Sequence, residues 1–238
     1  MPTIYAASTD GYVRNWITGG PSWATVRDAT SGNQASSTSA GTANAIQAYG
    51  NASRGGQIAV WRSFFAFDTS GISSNVASAT INLRGVTAGD ANVIGVKATK
   101  PDLSTNLTTA DFDAITGFSA GASMSGNVTD YTSEVTTWST SGYNSITLNA
   151  NALTRMKNDS VFAICFVEYD HDYLNVAMAY GDGAIRSGLM YQDRSGTSQD
   201  PYIEYTLGYG NAVCGVPSGD IAAIDGILTA NISKVSGV

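Results

Sequence analysis

Residues 56–72 read GQIAVWRSFFAFDTSGI, and the reading of this stretch decides the fold. Trp61, Phe65 and Phe67 share one parity and Arg62 has the other, which is the period of two that a β-strand imposes on its side chains. A strand is therefore expected here, with Phe65 and Phe67 facing a core. Residues 78–86, SATINLRGV, put Ala79, Ile81 and Leu83 on one face and Thr80, Asn82 and Arg84 on the other. This is the pattern of a half-buried antiparallel strand. NVIGVKATK (92–100) is expected to pair with it.

The same patterning extends in both directions. TTADFDAIT (108–116) holds Phe112 and Ile115 in a spacing that suits one short helical turn. NSITLN, ANALTRMKND and SVFAICFVEYD (144–170) predict strand, short helix with Leu153 and Met156 inward, then strand. AIRSGLMYQD (184–193) and PYIEYTLGY (201–209) are the last clear strands. Residues 29–54 are rich in Ser, Ala and Gly, with Ile46 and Tyr49 as the only sizeable apolar residues, and predict a long loop or two weakly patterned edge strands. Short strands separated by turn signals every ~8–12 residues, with almost no helix, predict an all-β chain. Its expected form is an antiparallel two-sheet β-sandwich, jelly-roll-like, over residues 1–209, followed by a tail at 210–238.

Composition narrows the function. The 238 residues are 43% hydrophobic and only 13% charged, and 26 are glycine, so uncharged polar residues occupy much of the surface. Recurring Trp, Tyr, Phe, Ile and Val argue against disorder. A net charge of −7 without any basic cluster argues against nucleic-acid binding, which rests on grouped Lys and Arg. No stretch approaches the ~18 apolar residues of a membrane span. The opening MPTIYAASTDGYV has neither the basic region nor the apolar core of a secretory signal, which predicts synthesis in a host cytoplasm. Cys165 and Cys214 lie in chemically different segments and are expected to be free thiols.

Several segments resemble the DNRLRE-type β-sandwich domains, relatives of carbohydrate-binding modules found in secreted bacterial proteins and in phage structural proteins. They are STDGYVRNW (8–16), WRSFFAFDTSGISSNVASATINLRG (61–85), SITLNANALTRMKNDSVFAICF (145–166) and SGLMYQDRSGTSQDPYIEYTL (187–207). Arg62, Phe65, Phe67 and Asp68 carry the likeness in the first long strand. Met156 stands where such domains often have Trp, and TSEVTTWSTSGYN (132–144) looks inserted. The resemblance implies a β-sandwich and, more distantly, sugar binding.

Reactive chemistry is sparse. The single histidine, His171, lies in EYDHDYLN with Glu168, Asp170 and Asp172, a set that could collect a metal or form an oriented base. Strand alternation separates His171 from its neighbours, so a polar loop closing a hairpin is expected instead. Asp170, Asp172 and Asp182 are the best calcium candidates, without the spacing of an EF-hand. No nucleophile elbow, phosphate loop or metal-spaced Cys/His cluster occurs, and neither catalysis nor a cofactor is expected. Trp16, Trp23, Trp138, Tyr169 and Tyr173 fall in or near expected loops, where rings could form a sugar-stacking platform.

The tail says one phrase twice. Asp220–Ile227 (DIAAIDGI) returns as Asn231–Val238 (NISKVSGV), each a possible N-cap, two spaced apolar residues and a glycine stop. One-turn helices, or extended segments, are expected. Helices this short need a surface to dock on, which makes Ile221, Ile224, Ile227, Ile232, Val235 and Val238 the expected docking residues. Such repeats resemble the ends of phage virion proteins. The expected function is accordingly a non-enzymatic structural protein of a tailed-phage virion, in a head decoration or fibre, joined through its tail to other virion proteins or to copies of itself. The alternative is a carbohydrate-binding or adhesion module of a bacterial surface.

Overall fold

The structure is a computed structural model that describes residues 1–192 and 196–208 and, in the tail, the backbone of residues 223–224 and 227–228. Its strands in chain order are β1 (Thr3–Tyr5), β2 (Gly11–Thr18), β3 (Gln34–Ser36), β4 (Gly41–Asn51), β5 (Gln57–Asp68), β6 (Val76–Gly89) and β7 (Val93–Lys97). They continue with β8 (Tyr143–Thr147), β9 (Val161–Glu168), β10 (Gly183–Met190), β11 (Tyr202–Leu207), β12 (Ala223–Ile224) and β13 (Ile227–Leu228). Two α-helices, α1 (Trp23–Arg27) and α2 (Ala150–Asn158), interrupt them. The first eleven strands form one antiparallel sheet in the order β1-β11-β6-β10-β4-β5-β2-β3, with β8 added on β6 and β9 linking β5 to β7.

The expected all-β class is what forms. Pairing is continuous because the long strand β6 changes partners along its length: Ile81 lies opposite Ile203 of β11 and Ile146 of β8, whereas Gly85 and Gly89 lie opposite Leu189 and Ser187 of β10. Phe65 and Phe67 are fully buried, in one cluster with Phe162, Ile164 and Phe166 of β9 and with Ile81, Leu83, Ile146 and Ile203. Helix α2 closes this core with Ala152 and Met156, and Leu153 packs half-buried beside them. The helix starts where the Asn149 side chain accepts the Ala152 N–H.

A second core lies on the opposite face of β5, where Ile58, Val60 and Phe64 meet Val13, Ile94, Val96, Cys165 and Val167. Its cover is mostly irregular chain: Trp23 and Val26 of α1, Leu107, Phe112, Ile115 and Met124 from the long connection after β7, and Tyr173 and Met178 after β9. Both faces of β5 are thus buried. The even-numbered Ile58, Val60 and Phe64 carried that information, since a strand covered on both sides reads as a near-continuous apolar run.

Two expectations about placement are corrected. Residues 41–51, expected as loop or edge, form the central strand β4 between β10 and β5. Small residues suit that place, and a Cβ on Gly50 would sit 2.0 Å from the Ala179 carbonyl oxygen. The strand in 92–100 pairs with β9 and not with β6, whose two edges are occupied by β8 and β11. In the tail, β12 and β13 pair antiparallel, Ile224 opposite Ile227. Ile224 and Ile227 lie in strands, the second of the two forms expected for this segment. Ile221, Ile232, Val235, Val238 and Cys214 lie outside the described residues.

Candidate functional site

The EYDHDY segment is organised by Glu168 at the end of β9. Its carboxylate accepts the backbone N–H groups of Asp170, His171 and Asp172 at 2.8, 2.7 and 3.0 Å, which winds Tyr169–Tyr173 into one wide helical turn. Burial pushes the Glu168 pKa up, and these three amides pull against that rise. The turn delivers Asp172 into the second core, where Arg62 donates to both of its oxygens at 2.8 Å. Arg62 also donates to the carbonyls of Phe112 and Arg27 and lies over the rings of Phe112 and Phe118. Arg27 donates to the Asp172 carbonyl at 2.9 Å. This buried fork ties β5, α1 and the two irregular connections together.

The expected metal candidates are held apart by these contacts. Asp172 is engaged by Arg62, Asp170 accepts from Asn92 at 3.1 Å, and Asp182 accepts the Ala179 N–H at 2.6 Å. Among the described residues, no three His, Cys, Asp or Glu side chains gather in a metal-holding group. His171 places Nδ1 2.9 Å from the Val176 carbonyl oxygen, and its ring meets Trp23 edge-on.

Four of the five expected sugar-stacking rings serve packing. Trp23 is buried in the second core and donates from Nε1 to Asn175. Tyr169 and Tyr173 stack on each other at 5.2 Å, and the Tyr173 hydroxyl donates to Asp130 at 3.0 Å. Burial and Asp130 push Tyr173 up to about 12. Trp138 packs half-buried against the first core with its Nε1 donating to the Gly188 carbonyl, although an open groove with Ser139, Tyr143 and Ser145 adjoins it. Trp16 alone stands on a sheet face with other rings.

That face is built by register. Arg14 of β2, Trp61 of β5, Gln47 of β4 and Arg186 of β10 lie opposite one another in a single row, and Trp16, Ala59, Tyr49 and Ala184 form the next. Residues two apart on a strand point the same way, so both rows share one face. The Trp16 ring is 5.9 Å from Trp61 and 6.1 Å from Tyr49, and Ala59, on the strand between those of Trp16 and Tyr49, is buried. Trp16 Nε1 donates to Gln57, fixing the indole. The Arg14 guanidinium lies 5.2 and 5.0 Å from the Trp16 and Trp61 ring centres.

Two polar atoms on this face have no partner. Gln47 is 3% exposed, and its Oε1 makes no hydrogen bond; Arg14 Nε is likewise buried and unpaired. Buried polar groups are normally satisfied, so such atoms call for a ligand or water. Arg14, Gln47, Tyr49, Trp61 and Arg186 were not among the residues expected from sequence. The shared parity of Gln47 and Tyr49 in NAIQAYGN was the available signal, hidden by the weak patterning of a segment expected as loop or edge strands.

No protein-family model and no curated protein matches the chain.

Proposed function

We propose that this chain is a non-enzymatic structural component of a tailed-phage virion, with the strand-rich body displayed and the repeated tail attaching it to other virion proteins or to further copies of itself. The observation that carries this reading is the tail's own strand pair: residues 223–224 pair with 227–228 in a sheet separate from the eleven strands of the body. A phrase written twice, with residues 223–224 and 227 of its first copy in strands, suits addition to a neighbouring subunit through strand edges and apolar side chains. The resemblance to domains of phage structural proteins adds to it. Deleting residues 211–238 should leave a soluble body with nearly unchanged Tm that no longer joins particles assembled in an infected host. A truncated chain found in purified particles at the full-length level would refute the attachment role.

A second reading is favoured by a separate observation. Trp16 and Tyr49, half-buried beside the buried Trp61 on one face with the unpartnered Gln47 Oε1 and Arg14 Nε, have the makings of a saccharide site: rings for sugar faces and buried polar atoms for hydroxyls. A carbohydrate-binding role on a displayed body is compatible with the first reading. Trp16→Ala should abolish a ligand-induced change in tryptophan fluorescence on titration with an oligosaccharide panel, and a response unchanged by Trp16→Ala would place the ligand elsewhere.

A further inference from the structure

The carbohydrate-binding reading leaves the class of sugar open, and the charges on the face address it. Strands β2, β3, β4 and β10 contain no Asp or Glu, and the only acid in β5 is Asp68 at its far end. The chain as a whole carries −7, so this surface has an unusual sign: its charged residues are Arg14 and Arg186. Arg186 donates to Asn44, a neutral partner, at 2.6 Å. The Arg14 side chain has an unpaired Nε and enters no ion pair among the described residues, whereas the buried Arg27 and Arg62 are both paired with Asp172.

Resting on that reading, we propose that the face binds a saccharide bearing a carboxylate, with Arg14 as the carboxylate-recognising residue. The two indoles hold the guanidinium in place before ligand arrives, so little side-chain freedom is lost on binding. A guanidinium presents a planar fork that matches a carboxylate, and its unpaired Nε is part of one such edge. Gln47 stands two strands from Arg14 across Trp61, about 10 Å at the usual strand spacing. That separation lets the unpaired Gln47 Oε1 accept a hydroxyl of the adjoining sugar while Trp16 and Tyr49 offer their faces to the ring. Arg186 at the end of the row adds long-range attraction for the anion.

The test uses the full-length protein and a panel of galacturonate-, glucuronate- and sialate-containing oligosaccharides, each beside its carboxyl-reduced counterpart, with binding followed by calorimetry and tryptophan fluorescence. At least one acidic member should bind about tenfold or more tighter than its reduced form, since a hydrogen-bonded charge pair is worth at least that ratio. Arg14→Gln should remove this preference and its salt dependence, while the residual affinity equals that for the reduced sugar; far-UV circular dichroism checks that the variant is folded. If acidic and reduced forms bind alike, or an acidic preference survives Arg14→Gln, the carboxylate inference fails and the saccharide reading stands. If neither form of any member binds, both fail.

Discussion

Arg62 has the parity opposite to Phe65 and Phe67, and by strand geometry it should point away from their core. It does, but into a second core instead of solvent. A fully buried guanidinium is tolerable only with its charge matched and its donors used, and Asp172 with the carbonyls of Phe112 and Arg27 supplies both. Asp172→Asn should therefore cost about 3–5 kcal/mol in urea denaturation by stranding a buried charge. His171→Ala, one residue away, removes one half-exposed hydrogen bond and should cost about 1 kcal/mol or less. Tyr173 provides a pH-dependent test. Its raised pKa, about 12, stabilises the fold fully below the ordinary tyrosine value near 10. That contribution is lost as pH rises through 12. Tyr173→Phe should be less stable than the wild type at pH 8, and the gap should shrink between about pH 10 and 12 in denaturation curves taken at each pH.

Among the elements, β6 is the one whose path organises the rest. At Gly85 it leaves β8 and β11 and begins to pair with β10, and the 139–142 loop presses on it there: Gly85 N–H donates to the Gly142 carbonyl, and a Cβ would lie 1.7 Å from the Ser139 carbonyl oxygen. The glycine is required for space, not for a left-handed backbone. Gly85→Ala should lower stability by about 1–3 kcal/mol, the cost of forcing backbone apart in a packed region. Gly71→Ala, with nothing within 4 Å of the added methyl, is the matched control and should change stability by less than about 0.5 kcal/mol. Equal losses in thermal melts would mean that the loop yields to the methyl group.

At the scale of the whole molecule, β5 belongs to two cores, and this should make the body unfold as a unit despite the irregular cover on one side. Phe67→Ala in the first core and Phe64→Ala in the second should each cost about 3–5 kcal/mol and preserve a single transition. An early, separate transition in Phe64→Ala would show that the layer built from α1 and the long connections unfolds alone. The sheet face bearing Arg14 and Trp16 is also a property at this scale, because its residues come from four strands.

Local pattern determined the strands at 57–68 and 76–89 and the strand-helix-strand run from 143 to 168, because alternation and helical spacing are written in consecutive residues and each side chain needs only its neighbours to show its face. The all-β class followed from their number. Partner choice was a matter for the tertiary structure. Residues 41–51 have small, weakly patterned side chains, and only the close approach of β5 and β10 explains why such residues form a central strand. The Arg62–Asp172 fork spans 110 positions and depends on Glu168 gathering three amides, a local device whose destination is not local. Trp16 was visible as a ring, but its association with Tyr49, Trp61 and Arg14 was not, since cross-strand register is set by hydrogen bonds between segments that the linear chain keeps apart.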